Sequence, residues 1–97
     1  RSGFATFYFL QKSGQPSCGV QVRSDDMVVA LSRQIMGGYR GGNCGKTINV
    51  HGEHGSITVR VVDTCARCGP NDIDLSPEAF RRIANRQKGK VRVSWSF

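Results

Sequence analysis

Three aspartates lie at the junctions between predicted elements, and their type and spacing suit them for chemistry. Asp63 directly follows an apolar run that ends at Val62, and Asp72 and Asp74 come just before a helix start at Ser76. A carboxylate at a strand end and another at a helix N-terminus can face the same groove. There they can exchange protons with a glycosidic bond or hydrogen-bond sugar hydroxyls. The alternative is that Asp74 only stabilises the helix N-terminus.

Four cysteines form a second cluster of reactive groups: Cys18, Cys44, Cys65 and Cys68. An even number in a chain of 97 residues indicates two disulfides and an oxidising compartment, so we expect a secreted protein. Zinc is an alternative, with His51 and His54 as further ligands, but a zinc site usually has two paired clusters and only the C-x-x-C is paired. Redox catalysis is disfavoured because Gly-Pro, rather than a helix, follows the C-x-x-C.

No other pattern in the chain predicts a cofactor. The segment Gly41–Thr47 matches a phosphate-binding loop only in part, because Arg40 stands where the first glycine is required. The residues that follow it have the pattern of a strand instead of a helix. The sequence therefore predicts neither a metal nor a cofactor.

The charge distribution favours an anionic partner. The chain is predicted to be one domain, residues 1–97, with a formal net charge of +7. After Glu78 there is no acid, and the basic residues are Arg81, Arg82, Arg86, Lys88, Lys90 and Arg92. This segment is either a solvated basic surface or a patch that binds an acidic polymer. Nucleic acid is a weaker prediction because it depends on net charge alone.

The chain has no apolar run long enough to span a bilayer, so no membrane partner is predicted. It reaches a strand-like segment almost at once after Arg1, which favours the mature form of a secreted protein. We expect a monomer.

Short alternating runs predict a mainly β domain. The predicted strands are Phe4–Leu10, Met27–Leu31, Thr47–Val50, Ser56–Val62 and Val91–Phe97, and Asp63–Asp74 is assigned to an irregular loop. In the first strand, Thr6 and Tyr8 face away from Ala5 and Phe7. Both are candidates for contact with a sugar, and Tyr8 could stack on a sugar ring through its aromatic face. A small closed barrel would leave none of these strands with an open edge.

One helix start is well marked, at Ser76-Pro77-Glu78. Serine accepts a free N–H, proline presets the backbone of the first turn, and glutamate complements the helix dipole. The helix is expected to continue to Lys88-Gly89. A single helical turn is expected after Ser32, ending at glycine.

Six segments of the chain occur in the order found in one family of barrels. They are Gly3–Tyr8, Ser17–Gly19, Val28–Ser32, Asn43–Lys46, Val61–Cys65 and Asp72–Phe80. Together they resemble the double-psi β-barrel of rare lipoprotein A-like proteins, expansins and fungal loosenins. The resemblance covers about Gly3 to Phe97. It implies a six-stranded barrel with one or two short helices and an open polysaccharide groove.

The resemblance also implies roles for individual residues. Asp74 matches the Asp of the Asp-Leu-Ser motif that expansins require for wall loosening. Asp63 matches a second groove Asp, and Thr6 matches the groove Thr of the first strand. Tyr8 is expected to stack on the glycan, and Asp72 is expected to contribute to binding.

The cysteine pattern is similar to that of the loosenins, which implies that Cys18 pairs with Cys44 and Cys65 with Cys68. The position of Cys65 differs from bacterial expansins, which have an aromatic residue there, two residues after the second groove Asp. The resemblance therefore does not carry over this one sugar contact of the bacterial proteins.

Hydrolysis is not expected. Family 45 glycoside hydrolases share the barrel and place a second carboxylate on the first strand, but here that strand has no acid and the next one is Asp25. Inverting hydrolysis needs a base that activates water opposite the acid. The prediction is therefore a secreted protein that binds and loosens cell-wall polysaccharide, with an acidic polymer as one possible target.

A second function remains open on the same fold. Small single-domain barrels of this type include a secreted inhibitor of papain-like cysteine proteases. In that case the loops Gly37–Gly45 and Cys65–Pro70 would contact the protease, and the aspartates would not.

Overall fold

The computed structural model describes residues 1–8, 16–23, 25–37 and 42–97. Six strands form, namely β1 (Ser2–Phe7), β2 (Val28–Ser32), β3 (Thr47–Gly52), β4 (Gly55–Cys65), β5 (Ile73–Leu75) and β6 (Val91–Ser96). Two helices, α1 (Arg33–Met36) and α2 (Pro77–Ile83), are followed by a 3₁₀ turn at Arg86–Lys88. The strands close into a barrel in the order β1-β5-β2-β4-β3-β6. The predicted six-stranded double-psi β-barrel is confirmed.

One predicted loop was wrong. The stretch Asp63–Asp74 contains the end of β4 and all of β5. The three residues of β5 pair with β1 on one side and with β2 on the other. A strand this short depends on its two neighbours, and the local sequence pattern does not reveal them.

Other boundaries differ less. β1 begins at Ser2 and ends at Phe7, and the predicted extension to Phe9 and Leu10 lies outside the described residues. β6 ends at Ser96, so Phe97 lies beyond the strand. The helix at Pro77 ends at Ile83, because the backbone turns into an extended conformation at Ala84.

The fold consists of two similar halves, each with two strands, a helix and a third strand. The first half is β1, β2, α1 and β3, and the second is β4, β5, α2 and β6. The parallel pairs β1–β5 and β2–β4 join strands from different halves, so the halves cross each other. The remaining pairings repeat in the same way, since β1 pairs with β6 as β4 pairs with β3.

Both helices begin with a buried serine cap. The Ser32 Oγ accepts from the Ile35 N–H at 3.3 Å, and the Ser76 Oγ accepts from the Ala79 N–H at 3.3 Å. The cap dihedrals are nearly the same, with φ −61° and ψ 159° at Ser32 and φ −62° and ψ 154° at Ser76. The two caps therefore give a common reference point for comparing the halves.

The core lies inside the barrel and under α2. Buried and exposed residues alternate along β6, which places Val91, Val93 and Trp95 in the core. The largest of these, Trp95, donates from Nε1 to the backbone oxygen of Asn71 at 2.9 Å, so its one polar atom is paired. Phe80 of α2 is fully buried against the same cluster.

Two disulfides link the described loops, Cys18 with Cys44 and Cys65 with Cys68. These are the pairs that the resemblance implied. Because all four sulfurs are bonded, the C-x-x-C does not supply thiolates for zinc, and the zinc alternative loses its sulfur ligands. Within the described ranges, no helix has the length and apolarity that crossing a membrane would require.

Candidate functional site

Four residues form a row across four neighbouring strands. Thr6 pairs with Asp74, Asp74 pairs with Ala30, and Ala30 pairs with Asp63. Residues paired in this way point to the same face of a sheet, and here it is the face opposite to the buried Ile73 and Leu75. Adjacent strands lie about 4.8 Å apart, so the backbones of Asp74 and Asp63 are about 10 Å apart.

One end of this row opens into a groove of about 350 Å³. Its polar walls include Thr6, Asp72 and Asp74, and its aromatic walls are Phe4, Phe7 and Tyr8. The Cys65–Cys68 loop and two cations complete the lining. Four of the five predicted binding residues thus meet in one cavity, which a prediction from separate motifs could not establish.

Asp74 is the half-buried carboxyl at the floor of the groove. The Thr6 hydroxyl donates to its Oδ1 at 2.8 Å. Burial raises the pKa of Asp74, and the charge of Asp63 adds to the rise, while the Thr6 hydrogen bond and the Arg67 charge oppose it. The carboxyl therefore keeps its proton to a higher pH than an exposed Asp and can either donate to or accept from a sugar hydroxyl.

The alternative was that Asp74 caps or stabilises the helix N-terminus, and its capping part is wrong. Ser76 caps α2, and its Oγ also donates to the Asp26 backbone oxygen at 2.6 Å. In the part of the chain that the structure describes, the side-chain hydrogen bond of Asp74 is to Thr6. The carboxyl is thus held toward the groove by a residue of another strand.

Asp72 joins the groove wall to β1. Its Oδ1 accepts from the Phe4 N–H at 2.9 Å. The chain passes very close here, because a Cβ on Gly3 would lie 2.2 Å from the Asn71 backbone oxygen. Glycine at this position therefore allows Asp72 to reach β1, and one carboxylate oxygen is used in structural hydrogen bonding.

Asp63 occupies the covered end of the row. Its Oδ1 accepts from the backbone N–H groups of Ser17 and Thr64, both at 2.8 Å. It does not border the groove. The geometry gives Asp63 the role of holding the segment around Ser17 against β4, and its predicted contact with sugar stays a prediction.

Tyr8 separates the open and covered ends. It packs against Val28 and Val62, and its hydroxyl oxygen is buried with no hydrogen-bond partner among the described residues. Burial, and then the charges of Asp63 and Asp74, raise the pKa of Tyr8, so the phenol is neutral across the physiological range. The ring borders the groove, as the predicted stacking on sugar requires.

The groove also has cations that the sequence analysis did not identify. Arg67 and Lys90 both border it, and the Lys90 Nζ lies 4.8 Å from the centroid of the Phe4 ring. The only sequence signal was the position of Lys90 within the basic segment after Glu78. Other members of that segment are paired elsewhere, because Arg81 and Arg82 bind Glu78 and Lys88 binds Glu53.

Comparison with known proteins shows the family to which the chain is similar. A family model described as lytic transglycolase matches residues 2–95. Expansin-YoaJ of Bacillus subtilis is 32% identical over 95 residues, which are 96% of this chain and 41% of that protein.

Two groups of solved structures are similar over the whole chain. The expansin of Clavibacter michiganensis superposes with a TM-score of 0.82 at 32% identity, covering 98% of this chain and 48% of that one. A mutant of that expansin was solved in complex with cellohexaose. The Streptomyces papain inhibitor has a TM-score of 0.82 at 25% identity and is covered over 94% of its length. The chain thus spans less than half of the expansins and nearly all of the inhibitor.

Proposed function

This chain belongs to the expansin-like family of double-psi β-barrels whose model is described as lytic transglycolase, and we propose that it binds cell-wall polysaccharide beside Asp74 and loosens the wall without hydrolysis. The principal support is the Thr6–Asp74 pair on the floor of an open groove. A mutant expansin of similar structure was solved with cellohexaose, a glycan of the expected kind.

The groove suits hydrogen bonding to a glycan. Asp74 is held by one hydrogen bond from Thr6, and a raised pKa lets it act as donor or acceptor. The aromatic walls, Phe7 and Tyr8 among them, provide apolar surface for the faces of sugar rings. Loosening would follow if these contacts replace contacts between neighbouring wall polymers.

The arrangement of carboxylates supports binding over hydrolysis. Asp72 and Asp74 are two residues apart, Asp72 just before β5 and Asp74 within it, and both accept hydrogen bonds from β1. Asp63 is two strands away, but its Oδ1 is occupied by two N–H groups and it does not border the groove. Tyr8 lies between the groove and the covered end of the row. No described residue is placed to activate a water opposite Asp74.

The proposal includes secretion and an acidic wall polymer as the target. Two disulfides fit an oxidising compartment. The net charge of +7 favours polyanions such as pectin or peptidoglycan with its attached acidic polymers. Binding should then weaken as salt rises, because exposed charges are screened.

The test is Asp74→Asn in a wall-extension assay, together with pull-down on cellulose, chitin, pectin and peptidoglycan. We expect loosening to fall at least about tenfold, the effect of losing one charge-assisted hydrogen bond. Asp25→Asn, which removes the same charge at an exposed residue, is the matched control. Wild-type protein should release neither reducing ends nor soluble fragments.

Two results would contradict the proposal. Sugar release that disappears in the Asp74→Asn variant would show that the protein cleaves glycan. Soluble fragments are measured as well as reducing ends, because an intramolecular transfer need not create a free reducing end. Equal loosening by the two variants would remove Asp74 from the mechanism.

A second candidate is inhibition of papain-like cysteine proteases. It is supported by the Streptomyces papain inhibitor, whose structure superposes on this chain with a TM-score of 0.82 at 25% identity. The Cys65–Pro70 loop is the described candidate for contact with a protease, and part of the Gly37–Gly45 loop, residues 38–41, lies outside the described residues. Titration of papain decides this point, and inhibition that persists in Asp74→Asn would assign it to the loops.

A further inference from the structure

We propose that the groove selects glycans whose sugars bear a carboxylate, and that Arg67 and Lys90 bind this carboxylate. The inference rests on the proposed glycan binding and deepens it by naming the substrate class. The overall charge of the chain would attract any polyanion to any part of the surface. Two cations inside the groove would instead distinguish an acidic sugar from a neutral one at a defined position.

Arg67 and Lys90 are available to a ligand. The salt bridges among the described residues involve Arg81, Arg82 and Lys88. Arg67 and Lys90 take part in none of them, although both border the groove and both are exposed. Their charges are therefore not neutralised by a direct ion pair within the described part of the protein.

Both cations are held at the groove by neighbouring groups. The Phe4 ring lies 4.8 Å from the Lys90 Nζ and 4.9 Å from the Arg92 Cζ, so two positive charges are placed at one edge. Arg67 lies in the short loop closed by the Cys65–Cys68 disulfide, where the Cys68 N–H also donates to the Cys65 backbone oxygen at 3.3 Å. This closure limits how far Arg67 can move from the groove.

Two acids, Asp72 and Asp74, also line the groove, and the Arg67 charge acts on Asp74. The Asp72 Oδ1 accepts from the Phe4 N–H, and the Asp74 Oδ1 accepts from the Thr6 hydroxyl. Burial raises the pKa of Asp74, which reduces its negative charge in an acidic medium. Arg92 lies against the same Phe4 ring as Lys90, so a further cation stands beside Lys90 at this edge.

The chemistry of the two cations fits a carboxylate. A guanidinium can donate two parallel hydrogen bonds to the two oxygens of a carboxylate, and an ammonium adds a point charge. A carboxylate on a wall sugar has two sources, the C6 acid of a uronic acid and the lactyl ether of muramic acid. Both present one carboxylate per sugar at the edge of an otherwise uncharged ring.

The test uses two ligands with the same sugar chain, one with free carboxylates and one with uncharged methyl esters. Binding of a linear oligogalacturonide is compared with binding of its methyl ester by calorimetry. We expect the acid to bind about tenfold more tightly, as for one charge-assisted contact. Lys90→Gln and Arg67→Gln should each remove most of this preference, because they weaken binding of the acid more than binding of the ester.

Lys46→Gln is the matched control. Lys46 also directly precedes a strand and stacks on an aromatic ring, Phe97 at 5.7 Å, but it lies outside the groove. The Lys46→Gln variant removes the same charge as Lys90→Gln. If both variants lose the preference equally, net charge explains it and the inference is wrong.

The remaining outcomes distinguish failure of the carboxylate site from failure of the proposed glycan binding on which it rests. If acid and ester bind equally, and Asp74→Asn weakens both, the glycan proposal stands and the carboxylate site is wrong. If neither binds, both fail. A second arm with peptide-free peptidoglycan strands and their methyl esters identifies the source, since a preference confined to one arm assigns the site to that carboxylate.

Discussion

The two halves of the barrel use the same backbone arrangement for different purposes. When the caps Ser32 and Ser76 are aligned, Ala30 in β2 corresponds to Asp74 in β5. The strand partner of Asp74 is Thr6 and the partner of Ala30 is Asp63, so Thr6 and Asp63 correspond as well. Each of these parallel pairs takes one residue from each half. One crossing thus presents threonine and aspartate, Thr6 with Asp74, and the equivalent crossing presents aspartate and alanine, Asp63 with Ala30.

The two pairs differ in what lies over them, so we call Thr6–Asp74 the open pair and Asp63–Ala30 the covered pair. The segment around Ser17 lies over Asp63, with a further hydrogen bond of 3.1 Å from the Cys18 N–H to the Val62 backbone oxygen. The Cys18–Cys44 disulfide ties this segment down. Above Asp74 the corresponding space is the open groove. A double-psi crossing therefore becomes a site only where a loop leaves it uncovered.

The strongest test of this comparison is Ala30→Asp, which places a carboxylate at the covered position. Ala30 is only 2% exposed, whereas Asp74 is half-buried beside the groove. We expect a loss of about 3–5 kcal/mol in the free energy of unfolding, as for an uncompensated buried charge. Chemical denaturation at pH 7 and pH 4 measures it, and part of the loss should be recovered at pH 4 because the new acid takes up a proton. A variant as stable as the wild type would show that the covered pair can also open.

The two disulfides give the next largest contrast. Loss of the Cys18–Cys44 bridge, by Cys18→Ala with Cys44→Ala, should cost about 3–4 kcal/mol, since it closes a loop 26 residues long. Loss of the Cys65–Cys68 bridge should cost about 2 kcal/mol, because its loop is short. Urea denaturation of the two double variants gives both values. A larger loss for the second pair would mean that the groove loop, and not the covering segment, stabilises the fold.

The two aspartates of the row should also differ in how much they stabilise the fold, and Asp63 should contribute more than Asp74. Asp63→Ala leaves the Ser17 and Thr64 N–H groups without their acceptor and should cost about 2 kcal/mol. Asp63→Asn keeps an oxygen acceptor and should cost less. Asp74→Ala should have little effect, since Thr6 can turn to the Ile73 backbone oxygen, already 3.5 Å away. Thermal unfolding of the three variants tests this order, and equal losses at both positions would contradict it.

The sequence was sufficient for the barrel and for most of the site, and its failures have physical causes. Ser76-Pro77-Glu78 is a local signal, and α2 begins where it predicts. β5 has no local signal, because its three residues depend on pairing with two distant strands. Asp63 and Asp74 were predicted to face one groove, but only Asp74 borders it, although both belong to the row. The loop that covers Asp63 is a tertiary contact from a segment 46 residues away, so no motif could indicate it.

The smallest expected effect is the pH dependence of stability that Asp74 causes. Its sign follows from the direction of the pKa shift. Because the folded protein raises the pKa of Asp74 above its ordinary value of 3.8, the unfolded chain ionises first as the pH rises. Ionisation therefore costs stability at neutral pH, and this cost is absent below pH 3.8, where both states keep the proton. Asp74→Asn should accordingly stabilise the protein at pH 7, with a difference that shrinks toward pH 3.

Thermal unfolding from pH 3 to pH 7 checks this, and Asp25→Asn controls for the change in net charge. A destabilised Asp74→Asn protein with a constant difference at every pH would mean that the carboxylate serves the fold, as Asp63 does. A difference that grows with pH in favour of the variant would mean that the open pair keeps its carboxyl group at a cost in stability. That cost is expected of a group retained for binding, because the covered pair has alanine at the position of Asp74 and its own carboxyl group, on Asp63, does not border the groove.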